Sequence, residues 1–323
     1  MGMDLKERFL INYKKFEIGG NNYDQYNRQI NRLYKYMQEK KSYSNEIDLL
    51  TDINYDVAED YAIYLSTNGN YKKSTINTII AVTKEYFNYL TKKRHMFDYN
   101  PFDVVEQYSA SEVEADRKRK ESLTVEEMKK ILANVDNSIK SRKKDTQDFL
   151  IKRDKFLFAL MFTNGSRITE TLKIKMSWIE RDKKNGYVIQ VPANVVKNKM
   201  NKALVIPKSV EKMFNDYMFE RRCLSKKFDS DLLFVSINGN EINRRNAIDI
   251  VKRACVSCNI EKNITPHSFR GSCLLQLEQK QIDEGLRRKI LGWKNNSIED
   301  HYTAEANNPI YNDLKMKACD LLG

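Results

Sequence analysis

The sequence contains little glycine and proline, with 11 and 5 residues respectively among 323. Both residues interrupt regular structure, so their scarcity favours long uninterrupted helices. Long apolar runs are also absent, because no stretch approaches the roughly 20 residues that a membrane-spanning helix needs. The N-terminal residues 1–8 lack the apolar core of a signal peptide. These absences predict a cytoplasmic protein with no membrane partner.

Cysteine is also sparse, and its five residues show no regular framework. An odd number of cysteines without a framework fits a reducing compartment. Cys255 and Cys258 have the C-x-x-C spacing of metal and redox sites, but a zinc site needs a second Cys/His pair at suitable spacing, and none is nearby. We therefore interpret them as helix-packing residues and expect neither a metal nor a cofactor.

Positive charge is in excess, with 56 Lys and Arg against 44 Asp and Glu and a net charge of +12. This excess favours a polyanionic partner, and nucleic acid is the leading candidate, which would associate the protein with the nucleoid. A chain of 323 residues exceeds the size at which single hydrophobic cores usually stop growing. Two domains are therefore expected.

The first hundred residues have the periodicity of helices, and the pattern predicts four of them. The clearest helix starts at Ser74, a candidate N-cap, and carries one apolar stripe through Ile76, Ile79, Phe87 and Leu90. A cluster of polar side chains next to this stripe predicts a phosphate-contacting surface. Its members are Lys72, Lys73, Asn77 and Lys84. For any single lysine, an ordinary solvated helix face remains the alternative.

A segment without periodicity follows, at residues 107–122, and it predicts a flexible basic linker between the domains. Its basic residues, also candidates for DNA contact, are Arg117, Lys118, Arg119 and Lys120. A merely solvated hinge is the alternative. Thr124 and Glu127 form a capping box that starts the next helix. The predicted domains are therefore 1–106, which binds DNA, and 123–323, with the linker between them.

The second domain begins with helices and contains a small sheet. An apolar helix through residues 153–162 is buried, and Gly165 ends it where Arg167 is presented. Residues 186–191 and 202–207 read as two strands, joined by a connection that carries lysines. His267 and Arg270 lie three residues apart on a later helix. Arginine lowers its burial cost by pairing with phosphate or carboxylate, so this grouping suggests a reactive anion.

Four segments of this domain resemble the tyrosine recombinase family, which includes the phage integrases and the Xer-Cre-like site-specific recombinases. The segments are NGSRITETL, KMNKALVIP, TPHSFRGS and LGWKNNSIEDHYT, and the resemblance covers nearly the whole chain. It implies a mainly α fold with a small β-sheet. A helical core-binding (SAM-like) domain would join a mixed α/β catalytic domain of the DNA breaking-rejoining type, forming a C-shaped clamp on DNA.

The resemblance implies a role for each residue of the constellation. Tyr302 would attack the scissile phosphate and form a 3′-phosphotyrosyl bond without a metal, while Arg167 and Arg270 would bind the non-bridging oxygens. His267 would hydrogen-bond the phosphate or exchange the tyrosine proton. Trp293 stands where the commonest family pattern has histidine. Because an indole N–H only donates, Trp293 would hold a phosphate oxygen without moving a proton.

The same resemblance assigns the general acid to Lys199, which lies eight residues before a proline of the family motif. This lysine would protonate the leaving 5′ oxygen. Lys197 and Lys202 are neighbouring alternatives that the sequence leaves open. Glu170 lies one helical turn after Arg167 and would support that arginine without taking part in the reaction directly.

The implied function is site-specific recombination, in which strands are exchanged through a Holliday junction during integration, excision or resolution of a mobile element or replicon. The partner would be a double-stranded DNA recombination site, and a homo-tetramer would assemble on two such sites. The free protein would be a monomer or weak dimer, and accessory DNA-bending proteins are further candidate partners. The tail after residue 302 is expected to exchange in trans between copies.

Other functions would use much the same residues. A type IB topoisomerase or a hairpin telomere resolvase shares the arginines, the lysine and the tyrosine, but a relaxing enzyme works as a monomer on one site. A catalytically inactive DNA-binding regulator would keep the clamp and lose the constellation, which is intact here. The sequence does not identify the target DNA.

Overall fold

The computed structural model describes residues 4–16, 21–68, 70–115, 121–139, 143–182, 186–224, 230–293 and 309–323. The chain divides into two compact units, Met1–Lys118 and Arg119–Gly323. This division falls within the segment predicted as the linker, whose basic residues all lie outside the described ranges. Those residues are Arg117, Lys118, Arg119 and Lys120.

The first unit is helical in the part that the structure describes. Its helices are α1 (Leu5–Phe16), α2 (Asn21–Lys40), α3 (Glu46–Thr51), α4 (Tyr55–Thr67), α5 (Lys73–Lys92) and α6 (Ala110–Ala115), with a 3₁₀ turn at Pro101–Asp103. The expectation of four helices is wrong, because five precede this turn. The extra helix, α3, is only six residues long and too short to show a period, yet the Asn45 side chain caps it by accepting from the Asp48 N–H.

Helix α5 is the centre of the first unit's core. Ile76, Ile79, Phe87 and Leu90 are all at most 5% exposed, which confirms the predicted stripe. The predicted N-cap at Ser74 is wrong, because the helix begins one residue earlier, at Lys73, after an extended residue that makes no side-chain cap. The buried face of the helix is therefore fixed by packing and not by a cap.

Glu46 joins four helices of the first unit through one carboxylate. It accepts the backbone N–H groups of Leu5 at 2.7 Å and Lys6 at 3.1 Å, which are otherwise unpaired donors at the start of α1. It also accepts the Tyr34 hydroxyl at 2.6 Å, and Tyr34 lies 2.8 Å from the Tyr86 hydroxyl. Burial raises the pKa of Tyr34, as do Tyr86 and Glu46 itself. The carboxylate thus connects α1, α2, α3 and α5.

The second unit surrounds one long buried helix with further helices. Its helices are α7 (Val125–Asn134), α8 (Lys144–Asn164), α9 (Ile168–Thr171), α10 (Lys208–Cys223), α11 (Arg244–Ser257), α12 (Pro266–Gln279), α13 (Glu284–Leu291) and α14 (Pro309–Ala318). Short 3₁₀ turns occur at Val135–Ser138 and Met176–Trp178. The capping box of Thr124 and Glu127 is present at α7, as predicted.

A three-stranded antiparallel sheet lies beside these helices, in the order β1 (Ile179–Asp182), β2 (Gly186–Val191) and β3 (Lys202–Ile206). The two predicted strands are confirmed, while β1 was not foreseen, because its residues include three charged side chains and show no apolar run. Every residue of β3 is buried. The strand therefore forms part of the core as well as of the sheet.

The end of α8 is joined to β3 by a side chain. The Asn164 amide donates to the Val205 carbonyl at 2.9 Å and accepts the Val205 N–H at 2.8 Å, so it satisfies both backbone groups of that residue. Asn164 and Val205 are both fully buried. Unpaired buried amide groups are costly, and this pairing fixes the helix end against the strand.

The last helix, α14, lies against β3 of the same chain. The Lys315 ammonium is buried and donates to the Ala203 carbonyl. Cys319, just after the helix, is fully buried, and the Asp320 carbonyl accepts from Lys280 at 2.7 Å. Exchange of this segment between copies stays a prediction, because a single chain does not test it.

Glu46→Ala should destabilise the first unit by about 1–3 kcal/mol, because it leaves two partly buried backbone donors of α1 without an acceptor and removes the carboxylate that accepts from the Tyr34 hydroxyl. Chemical unfolding of the full chain measures the loss. Glu39→Ala is the matched control, since Glu39 is half exposed and pairs only with Lys35 on the helix surface at 3.7 Å. That control should cost less than about 0.5 kcal/mol. Equal losses in the two variants would contradict the role of Glu46.

Candidate active site

Arg167 is presented by the turn that ends α8. Gly165 adopts a left-handed conformation with φ of 55°, as predicted from its helix-breaking position, and Arg167 then occupies the N-cap position of α9 with an extended backbone. The Arg167 guanidinium binds the Glu170 carboxylate at 2.7 Å and remains partly exposed. One face of this guanidinium is therefore anchored while the side chain still reaches solvent.

Arg270 lies on α12 and turns inward. Its side chain is 6% exposed, and its Nη1 donates to the Gly165 carbonyl at 2.8 Å. The Nη2 atom is buried and has no hydrogen-bond partner in the part of the chain that the structure describes. Burial and, to a smaller extent, the adjacent Arg167 charge lower the pKa of Arg270 to about 10. Two guanidiniums with a spare buried donor form a site for an anion.

His267 and Trp293 lie on either side of this arginine in the chain. His267 is in the first turn of α12 and exposed, one turn before Arg270. Trp293 follows the left-handed Gly292 at the end of α13 and is 41% exposed. The Arg270 guanidinium lies 5.8 Å from the centroid of the Trp293 ring. The indole face thus supports a cation, a role that the sequence prediction of a simple N–H donor missed.

Glu170 is buried at 3% exposure and is anchored through one oxygen only. Its Oε1 accepts from Arg167 and from the Lys197 N–H at 3.2 Å, while its Oε2 has no partner among the described residues. Burial opposes ionisation of this carboxyl, but Lys202, Arg167 and the Lys197 N–H together hold its pKa below the usual range. Glu170 therefore counts as an anion beside the two arginines.

The structure separates the three candidate lysines. Lys197 and Lys199 are exposed in the connection between β2 and β3, and Lys199 has a left-handed φ of 56°. Lys202 is the first residue of β3 and only 6% exposed. Burial has the largest effect on the pKa of Lys202, the charges of Lys315, Arg270 and Arg167 add to it, and Glu170 opposes it, so that the pKa is lowered to about 7. Of the three, Lys202 is the one that these charges surround.

Tyr302, the predicted nucleophile, lies outside the described residues. The structure therefore brings together Arg167, Glu170, Lys202, Arg270 and Trp293, with His267 one turn away on the same helix as Arg270. The role of each stays a prediction.

The predicted phosphate surface of the first unit has partners within the protein. Asn77 donates to the Tyr108 carbonyl at 2.8 Å and accepts its N–H at 2.9 Å, so both ends of the amide are engaged. Lys84 pairs with Asp103 at 2.9 Å, and the Lys73 ammonium lies 5.4 Å from the Tyr108 ring centroid. Lys72 is exposed. Exposure makes Lys72 the best placed of the four for an outside anion.

Two other features concern metals and membranes. Cys255 and Cys258 are buried free thiols at the end of α11, and burial raises the pKa of Cys255 to about 11 with a smaller effect of Cys258. Among the described residues, no group of three His, Cys, Asp or Glu side chains could hold a metal ion. None of the helices in the described ranges is long and apolar enough to cross a membrane.

Comparisons with known proteins agree on one family. Residues 121–308, more than half of the chain, match the phage integrase family model. Transposase A of transposon Tn554 from Staphylococcus aureus is 23% identical over 285 residues, covering 80% of this chain and 75% of that protein. The tyrosine recombinase XerD of Halalkalibacterium halodurans is 24% identical over 298 residues, covering 91% and 90%. The resemblance to tyrosine recombinases inferred from the sequence is thereby confirmed.

A solved structure extends the comparison to the fold. The XerH site-specific recombinase bound to difH substrate, in a pre-cleavage complex, matches with a TM-score of 0.66 at 18% identity. The match covers 88% of this chain and 77% of that one. The predicted fold class, mainly helical with a small sheet, is confirmed.

Lys202→Met should stabilise the fold near neutral pH. The pKa of Lys202 falls from 10.5 to about 7 on folding, so between these values the unfolded chain keeps a proton that the folded chain releases. The penalty is therefore full below pH 7 and fades as the pH rises towards 10.5. The gain should be roughly 2–5 kcal/mol at pH 7 and shrink at higher pH.

Urea unfolding at several pH values between 6.5 and 9.5 measures this gain. Lys208→Met is the matched control, because Lys208 is exposed just beyond the same strand. The control should change the unfolding free energy by less than about 0.5 kcal/mol at every pH. A gain for Lys202→Met that does not vary with pH would contradict the assignment.

Proposed function

The chain belongs to the phage integrase family, whose members are DNA strand-transferring enzymes with a tyrosine nucleophile, and on this basis we propose that it is a site-specific recombinase. It would cleave and rejoin duplex DNA through a 3′-phosphotyrosyl bond. The observation that supports this most directly is the arrangement of Arg167 and Arg270, with a buried Nη2 donor that lacks a partner among the described residues. A phosphodiester offers the anionic oxygens that such a pair binds.

In the cleavage step, the Tyr302 oxygen would attack phosphorus and the bond from phosphorus to the 5′ oxygen would break. A phenol with a pKa of about 10 is ionised to roughly one part in a thousand at pH 7, so forming the anion costs about 4 kcal/mol. Arg167 and Arg270 would offset this cost by stabilising the charge that develops on the non-bridging oxygens. Trp293, whose ring centroid lies 5.8 Å from the Arg270 guanidinium, would offer its indole N–H to the same phosphate.

Protons would move through two groups. Lys199 would give a proton to the leaving 5′ oxygen, and His267 would take the phenol proton or hydrogen-bond the phosphate. The exposed, left-handed position of Lys199 in the strand connection leaves it able to approach a phosphate from solvent. Because the phosphotyrosyl bond conserves the energy of the phosphodiester, the 5′ hydroxyl of a second DNA end would reverse the step without ATP.

We further infer a larger assembly around this chemistry. The first unit would be the core-binding domain and the second unit the catalytic domain, the two closing as a clamp on a DNA site. Four copies on two sites would exchange strands through a Holliday junction, with α14 passing between neighbouring copies. This activity would place the protein in the cytoplasm, at the nucleoid.

The wild-type protein should form a covalent adduct with DNA that survives denaturant. Since the target is unidentified, the probe is a pool of nicked duplexes with a randomised central segment, from which adducts are recovered and sequenced. With a nick near the cleavage site, the short fragment that carries the released 5′ hydroxyl diffuses away. Religation is then prevented, and the covalent intermediate accumulates. Wild type should give an adduct and Tyr302→Phe none, because the phenylalanine lacks the attacking oxygen.

Tyr311→Phe is the matched control, since it removes a hydroxyl nine residues further on and should still form the adduct. The absence of any adduct with wild type would contradict the proposed function. An adduct of normal yield with Tyr302→Phe would contradict the choice of nucleophile.

Arg270→Lys should slow cleavage of a duplex selected in this way by about 100- to 1000-fold, as is typical of a lost transition-state donor. Lysine keeps the charge but loses the planar fork that donates to two groups at once. Single-turnover cleavage rates measure the effect. Arg222→Lys, on the exposed face of α10, should cleave at the wild-type rate. A full rate for Arg270→Lys would show that charge alone is needed there.

A further inference from the structure

Two buried polar atoms of opposite charge in the active site have no partner in the described part of the chain. They are the Lys202 Nζ atom and the Glu170 Oε2 atom. Lys202 is 6% exposed and Glu170 3% exposed, so solvent does not satisfy either atom. Leaving a buried charged group without a hydrogen bond is costly, and pairs that persist in this condition invite a functional explanation.

The position of Lys202 points its side chain towards the site. A side-chain carbon added at Gly292 would lie 3.7 Å from Lys202 Cδ and 3.9 Å from its Cε. The lysine stem therefore passes beneath the turn that carries Trp293. The Asn198 amide donates to the Gly292 carbonyl at 3.1 Å and holds this turn over the stem. Lys202 thus ends inside the group formed by Glu170 and the two arginines.

The charges around Lys202 come from several packed elements. The ionisable side chains around Lys202 are Glu170 and Arg167 at α9, Arg270 and Cys273 on α12, and Lys315 and Cys319 at α14. Both thiols have a raised pKa because they are buried, so they are neutral near pH 7. Three cations and one anion therefore act on Lys202 in the free protein, and this balance disfavours a fourth buried cation.

We propose that Lys202 is a positioning residue for DNA cleavage: when a phosphate binds between Arg167 and Arg270, the Lys202 ammonium pairs with Glu170 Oε2 and fixes Glu170. This inference rests on the proposed function. The arriving phosphate adds a negative charge beside the arginines, which reduces the repulsion felt by an ammonium at Lys202. Glu170 is then held through both oxygens, by Arg167 on one and by Lys202 on the other.

The consequence for the reaction is geometric. The Arg167 guanidinium binds Glu170 Oε1 at 2.7 Å. A carboxylate that is bound at only one of its oxygens can rotate, and the guanidinium then moves with it. Fixing the second oxygen keeps the Arg167 donors aligned with the phosphate during attack. A displacement of about 1 Å in such a group can cost on the order of 100-fold in rate.

The first test measures single-turnover cleavage of a selected nicked duplex by wild type, Lys202→Met, Glu170→Gln and the double variant. Lys202→Met should slow cleavage by about 100-fold while its fold stays intact, because removing a buried ammonium does not destabilise it near pH 7. The double variant should be no slower than the slower single variant, since both act through one contact. Lys208→Met should retain the wild-type rate.

A wild-type rate for Lys202→Met, or a double variant slowed by the product of the two single effects, would overturn the proposal. These outcomes leave the proposed function standing, because wild type still forms its adduct. Absence of the wild-type adduct would instead remove the proposed function.

A second test does not depend on cleavage and measures the protons that the protein takes up when it binds DNA. Calorimetric binding of the same duplex to Tyr302→Phe protein, in two buffers of different ionisation enthalpy at pH 7, reports protons taken up. Adding Lys202→Met should reduce the uptake by about half a proton, because a group with a pKa near the solution pH is about half protonated before binding. Equal uptake with and without Lys202 would overturn the pairing.

Discussion

The way in which α8 ends is the constraint on which the active site depends. Gly165 turns the chain in a left-handed conformation that L side chains rarely adopt, and a carbon added there would lie 2.4 Å from a methyl group of Leu291. The same residue's carbonyl accepts from Arg270. Gly165 therefore both turns the chain so that Arg167 follows the end of α8 and binds Arg270 through its carbonyl. Asn164, immediately before it, binds the turn to β3, the strand that begins with Lys202.

The charges assembled around this turn do not balance. Arg167, Arg270, Lys202 and Lys315 are cations in or beside the site, and Glu170 is the anion among them. Burial lowers the pKa of Lys202, Lys315 and Arg270, because desolvation disfavours the charged form of each group. A phosphodiester bound in this place would offset these positive charges, so the same arrangement would contribute to both affinity and transition-state stabilisation. The hydrogen bond to the Gly165 carbonyl and the Trp293 ring at 5.8 Å both act on the Arg270 guanidinium.

Features encoded in short stretches could be predicted from the sequence, and those that need distant partners could not. The capping box at Thr124 and the break at Gly165 each lie within one helix turn, the stripe of α5 repeats with the helical period, and all three were predicted. The family motifs placed Arg167 and Arg270 in one site, which the structure brings together. By contrast, the pairing of Asn164 with Val205 joins residues 41 positions apart. The amide that links Asn77 to Tyr108 is equally invisible to periodicity.

The burial of Lys202 is a second feature that could not be predicted from the local sequence. A lysine at the start of a strand, next to a polar connection, is usually solvated, but here α14 docks beside the strand and the turn at Gly292 lies against the lysine stem. Strand β1 was missed because hydrogen bonding to β2 forms it, although its own residues have no strong strand preference. In both cases the decisive contact comes from another part of the chain.

The reactivity of the Cys319 thiol, just after α14, can be used to follow whether that helix is docked on β3. Cys319 and Cys273 are fully buried, and burial raises the pKa of Cys319 to about 11 and that of Cys273 still further. Thiols without thiolate character and without access should not react with maleimides, whereas the exposed Cys223 should. Alkylation of Cys319 thus reports each departure of the helix from β3. An exchange of α14 between copies, as proposed above, would be measured by mass spectrometry as a rate of Cys319 alkylation.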